Sequence, residues 1–239
     1  MRTLAESTKV RFENDQREPQ FIRSAVFRYD DQPRRFIDAT MWVWTDAGRP
    51  IAFEKIEAMT YGSPRWGYCF TSLAFDPLVV EWSHGRRYHT TEPGVEFQVL
   101  PDAPEVASRN VQRKRQIREL SREFSARIVT DPRENNSEAM RLLPTPIFEY
   151  TDAKSNLLQG AVFGFATSGT NPDLLIVLEV RPEGREIQWY FAPVRMTIGA
   201  VTVTHRDHQV WDVPFLEPGD ATFPTWTFFP TPRDVDEDE

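Results

Sequence analysis

Apolar and polar positions alternate in short runs along most of this chain. From Phe21 onward the runs are rich in Val, Ile, Phe, Tyr and Trp and are bounded by Asp, Gly and Pro, which is how strands closed by turns appear in a sequence. The pattern predicts strands near 24–30, 39–45, 50–59, 66–73 and 77–82, and a second set near 146–151, 160–166, 173–181, 187–196 and 198–205. Trp66, Tyr68 and Phe70 alternate with Gly67, Cys69 and Thr71, so three rings share one face of a strand. Ile187, Trp189 and Phe191 repeat the pattern in the second set, and both stripes are expected in the core because large rings gain most from burial. Leu174-Leu175-Ile176-Val177-Leu178 is continuously apolar and predicts a strand buried on both faces, whereas its counterpart Ala52-Phe53-Glu54-Lys55-Ile56 carries charge. One segment departs from the period of two. Ile117, Leu120, Phe124 and Ile128 recur at helical spacing and predict a single long helix over 105–128.

The two strand sets match each other. An offset of 121 residues lays Phe27 to Asp31 on Phe148 to Asp152 and Met41 to Trp44 on Val162 to Phe165. Gly48 then falls on Gly169 and, after a slip of one, Pro50 falls on Pro172, Glu57 on Glu179 and Gly62 on Gly184; slipping back puts Phe70 on Phe191. Matched Gly and Pro carry weight because they mark bends. The expected fold is therefore mainly β, at the margin of α+β: two duplicated antiparallel meanders packed as one sandwich or barrel, with one long bridging helix. Its divisions are a polar arm (1–20), a first repeat (21–82), a loop with the basic bridging helix (83–145), a second repeat (146–205) and a tail (206–239) ending in acidic residues. The arm reads as a frayed terminus before a docking segment. Prolines in the tail argue against regular pairing, yet its many rings need cover, so an extended segment laid over the body is expected.

Residues Arg141 to Tyr150, Gly160 to Phe165 and Thr170 to Leu175, with Met41 to Pro50 as the other half, resemble a conserved bacterial protein family without an assigned activity. The resemblance covers about residues 24–205 and rests on strand and turn signatures. It implies no catalytic or binding residue.

A net charge of −8 and a pI near 5.2 argue against nucleic acid or anionic membrane as a general partner. Cys69 is the single cysteine, so no disulfide calls for an oxidising compartment. The first residues lack the apolar core of a signal peptide and no apolar run reaches membrane-spanning length, which favours a cytoplasmic protein. Self-association stays open.

Chemistry is sparse. No GxxxxGK, GxGxxG after a strand, or GxSxG occurs. His205 with His208, and His84 with His89, do not have the spacing of a helical metal site, so neither metal nor cofactor is expected. Cys69, beside the aromatic stripe, reads as a small buried residue rather than a nucleophile. The best polar cluster is the stretch from Glu81 to His89, which has no match in the second repeat. Within it Arg86 and Arg87 suit an anion, while His84 or His89 with Glu81 could move protons. An exposed loop of ordinary composition explains the same residues. On the basic segment, Arg113, Arg115, Arg118 and Arg122 suit an acidic partner or nucleic acid, although pairing with the chain's own carboxylates accounts for them as well. The leading expectation is a non-catalytic interaction or ligand-binding protein. A hydrolase-like enzyme using the 81–89 loop and a binder of acidic partners or nucleic acid through the basic helix 105–128 are the alternatives.

Overall fold

The computed structural model describes residues 1–15, 17–133, 136–152, 156–184, 186–217 and 223–233. Two runs of elements follow the same order. The first is α1 (Arg2–Ser7), β1 (Lys9–Phe12), β2 (Gln20–Phe21), β3 (Phe27–Asp31), β4 (Phe36–Asp46), β5 (Arg49–Met59), β6 (Arg65–Ser72), β7 (Leu78–Glu81), β8 (Arg87–His89) and β9 (Gln98–Val99). The second is α2 (Asn110–Ser121), β10 (Phe124–Val129), β11 (Glu138–Leu142), β12 (Phe148–Asp152), β13 (Leu157–Ala166), β14 (Leu174–Glu183), β15 (Glu186–Arg195), β16 (Ala200–His205), β17 (His208–Val213) and β18 (Trp226–Pro232). The fold is mainly β with antiparallel sheets and few helices.

Pairing is equivalent as well as order. Tyr29 faces Ala39 and Tyr150 faces Gly160, each just before a bulge. Gln20 pairs with Thr45 as Arg141 pairs with Ala166. Val10 faces Val80 in the small outer sheet of the first half, and Ala126 faces Val203 in the second. The last strands cross over: β9 pairs with β15, Gln98 opposite Phe191, while β18 pairs with β6, Phe229 opposite Tyr68. Each half thus closes the meander of the other, and further contacts are reciprocal. Gly48, at φ +92°, lies so close to Thr151 that a Cβ would sit 2.9 Å from its carbonyl oxygen; Gly169, at φ +52°, stands in the same relation to Asp30, at 2.6 Å. Only glycine fits both the left-handed backbone and the close approach.

Three apolar clusters fill the layers. The inner faces of the two meanders meet in one, which holds Met41, Val43, Phe53, Val162, Val177 and Trp226. Trp42, Trp44, Tyr68 and Phe70 point outward and pack under α1, β1, β7 and β8, as Phe163, Phe165, Trp189 and Phe191 pack under α2, β10 and β16. Both meanders are therefore buried on both faces. This corrects the contrast drawn between their third strands, since Glu54, Lys55 and Glu57 are as buried as the leucines of β14. Phe191 is 1% exposed and meets Phe124 at 5.3 Å between ring centroids. Phe191→Ala should cost about 3–5 kcal/mol as a large-to-small core change, measured by urea unfolding.

Several expectations need correction. The long helix is only α2; the residues after it form β10, with Phe124, Ala126 and Ile128 buried and Ser125 and Arg127 exposed. A spacing of four is even, so it suits a strand's inner face as well as a helix stripe. The arm is docked, with Ala5 and Phe12 in the core and β1 paired to β7. Residues 83–103 contain β8 and β9, and the hairpin from β7 to β8 has a counterpart in that from β16 to β17. The aromatic stripes align two residues away from the expected register: opposite Glu57 stands Gly67, and opposite Glu179 stands Tyr190. Tyr68 therefore corresponds to Phe191, Trp66 to Trp189, and Ile187 is 48% exposed. The tail packs on the body, but with regular pairing. Pro230 and Pro232 lie in the edge strand β18. Thr225 O and Arg233 N bond to the β6 side, so odd-numbered residues face the ladder and both prolines turn their missing N–H to the open edge. No helix among the described residues is long and apolar enough to cross a membrane.

Candidate functional site

The cluster singled out in the sequence is dispersed over a surface hairpin. Glu81 is held by Arg11 at 3.0 Å and Arg87 at 2.5 Å rather than by a histidine, and the hydrogen bond from Arg11 keeps its carboxyl below the ordinary range. The His84 ring stands edge-on to Tyr68 and Phe229. Partial burial and the neighbouring Arg86 lower its pKa, so at neutral pH the imidazole is uncharged. Arg86 lies over the Phe229 ring, and His89 is 3.4 Å from Glu13.

The basic helix faces its own chain. Lys114 and Arg118 both donate to Glu149 at 2.8 Å. Burial works against the Glu149 carboxylate, but these two hydrogen bonds hold it below the usual range. Arg115 pairs with Glu119, and Arg113 donates to the carbonyls of Ala107 and Ser108. Arg122 caps the helix through its backbone N–H. His205 pairs with Glu123, which also holds Arg206. Among the described residues no group of three His, Cys, Asp or Glu side chains is placed to hold a metal.

A different place gathers the buried charge. On β5 the odd positions Phe53, Lys55 and Glu57 face the inner cluster and the even positions Glu54 and Ile56 face outward, as the pleat requires. Lys55 and Glu57, with Cys69 of β6, thereby open into a cavity of about 290 Å³ between the halves, near the small end of ligand pockets. The first half also contributes Arg34 and Phe36; the second contributes Asn171, Asp173, the turn from Met196 to Gly199, and Trp226 and Phe228 of β18. Thr130 stands exposed at its mouth.

Its polar groups are closely tied. Lys55 Nζ donates to Asn171 Oδ1 at 2.9 Å and to the carbonyls of Pro172 and Met196 at 3.1 and 3.4 Å, and lies 3.7 Å from Glu57. Burial disfavours this ammonium, yet its net pKa is raised by negative charge around it. Cys69 stays neutral at physiological pH, because burial pushes its thiol up to about 12. Trp226 Nε1 donates to Cys69 Sγ at 3.1 Å. Arg34 clamps Asp173 with two bonds of 2.6 and 2.9 Å, and Asp31, fully buried, accepts from Ser168 at 2.7 Å. Glu57 Oε1 accepts from Tyr29 at 2.6 Å. Neither potential nucleophile, Lys55 or Cys69, is in its reactive protonation state at neutral pH.

The corresponding place in the other half is filled. Glu179, the match of Glu57, accepts from Tyr150 at 2.6 Å and pairs with Arg49 at 2.9 Å. The Arg49 guanidinium lies 4.5 Å from the centre of the Phe75 ring and 5.0 Å from that of Phe97. By the registers above, Phe97 matches Phe228, Phe75 matches Ile198 and Arg49 matches Asn171. The shorter side chains Asn171 and Ile198 leave the space that forms the cavity. Sequence reading passed over these residues, although charges on both faces of a strand flanked by apolar residues were a visible signal. No family model, curated protein or solved structure matches this chain.

Proposed function

We propose that the chain is two copies of one β unit that exchange their last strands, and that it binds a small organic molecule in the cavity between them without transforming it. The observation that carries this reading is the asymmetry of the matched places: one is filled by Arg49 packed against two rings, the other is an open cavity lined by Phe36, Ile198, Trp226 and Phe228. An apolar chamber with a few fixed polar groups is the usual form of a ligand site. The unreactive state of Lys55 and Cys69 supports binding over catalysis. A ligand-observed NMR screen of aromatic fragments against the wild type and Thr130→Trp tests the reading, because a Trp at the exposed mouth obstructs the cavity with little risk to the core. Fragments should bind the wild type in the millimolar range or tighter and lose most of that binding in the variant. Equal binding to both proteins would place the ligands elsewhere.

A further inference from the structure

We propose that the cavity takes a small organic monocation, an ammonium or guanidinium on an apolar body, with Glu57 as its counterion. This deepens the ligand-binding reading and rests on it. The protein's own cations are already engaged by its own acceptors. The three protons of Lys55 are directed at Asn171, Pro172 and Met196, and both terminal nitrogens of Arg34 are bound to Asp173. An anionic ligand would have to approach cations that are already paired with the protein's own carboxylates and carbonyls. The acceptor side differs. Glu57 is 2% exposed and its Oε1 is engaged by Tyr29, but no hydrogen bond from the described residues reaches its Oε2, and the residue lines the cavity.

Charge counting agrees. The connected buried set holds three carboxylates, Asp31, Glu57 and Asp173, against two cations, Arg34 and Lys55. In the other half, Glu179 and Asp152, the matches of Glu57 and Asp31, are balanced by two cations, Arg49 at 2.9 Å and Arg181 at 3.5 Å from Glu179. A buried carboxylate in excess favours a positive partner. The matched place also shows what such a partner looks like, since the Arg49 guanidinium is stacked on aromatic rings and paired to the equivalent glutamate. Phe228 occupies the position of Phe97 and would meet a ligand cation in the same way.

Titration of the full-length protein with three probes of one shape, phenethylammonium, 2-phenylethanol and phenylacetate, tests this. Protein NMR shifts give each affinity. The cation should bind at least about tenfold more tightly than the alcohol, with phenylacetate weakest, and Glu57→Gln should erase the preference for the cation. If the alcohol or phenylacetate matches the cation and Thr130→Trp abolishes all binding, the cationic ligand is wrong and the cavity stands. If no probe distinguishes the wild type from Thr130→Trp, both readings fall. The charge series on the wild type decides the matter even if Glu57→Gln is poorly folded.

Discussion

Deletion of residues 223–239 is expected to abolish cooperative unfolding. The segment contains β18, which follows β6 over a seven-residue register from Trp226 opposite Thr71 to Pro232 opposite Arg65. Trp226 and Phe229 are 2% and 3% exposed. Trp226 belongs to the inner cluster between the halves and Phe229 to the outer cluster of the first, where it stacks on Tyr68 at 5.0 Å. Loss of one such ring from a core costs about 3–5 kcal/mol, and losing two together with a strand ladder is comparable to a domain's whole stability of about 5–15 kcal/mol. Urea unfolding followed by near-ultraviolet circular dichroism measures it. A truncated chain that still unfolds cooperatively, within about 1 kcal/mol of the intact one, would make β18 peripheral and the strand exchange incidental.

The second large effect concerns Glu54, which faces the outer cluster and takes no part in the cavity. Trp82 Nε1 donates to its Oε1 at 2.5 Å and Thr8 Oγ1 at 3.4 Å, while the buried Oε2 has no partner. Burial pushes its carboxyl up to about 8, against the pull of those two hydrogen bonds. The folded protein therefore holds a proton here that the unfolded chain releases near 4.5. The stabilising contribution is fully present below that value and is lost as pH rises through about 8, because the unfolded state binds fewer protons over that window. Glu54→Gln keeps the shape and removes the titration. The stability of the wild type relative to this variant should fall by on the order of 4 kcal/mol between pH 4.5 and 8. Urea midpoints of both proteins across that range give the difference. A difference that stays flat would mean that water or a rearranged partner solvates Glu54.

The order of strands and turns was legible because turns need particular residues. Gly48 and Gly169 share positive φ and reciprocal approaches, and Gly62 and Gly184 share positive φ at the next turn. The register of β6 against β15 was misread because Trp, Tyr and Phe at every second position fit equally well after a slip of two, and only pairing to Glu57 and Glu179 fixes it. The extent of the matched halves was hidden for another reason. α1 and α2 are 6 and 12 residues long and differ in composition, while β9 and β18 lie after their meanders and pair across halves, which no local pattern records. The cavity was the least visible. Its polar groups come from 34, 55, 57, 69, 171 and 173, brought together by the packing of two sheets, and their charges resembled an exposed strand face. A strand buried on both faces can carry charge when the other half supplies partners, as Asn171 does for Lys55.

The claim that the junction of the two halves is a ligand site is tested most directly by a crystal structure of the full-length protein soaked with phenethylammonium. The probe should lie between Phe228 and Glu57, with its ammonium within hydrogen-bond distance of Glu57 Oε2 and Lys55 still bound to Asn171. A probe found only on the surface, with the cavity closed by its own side chains as Arg49 closes the matched place, would contradict the account.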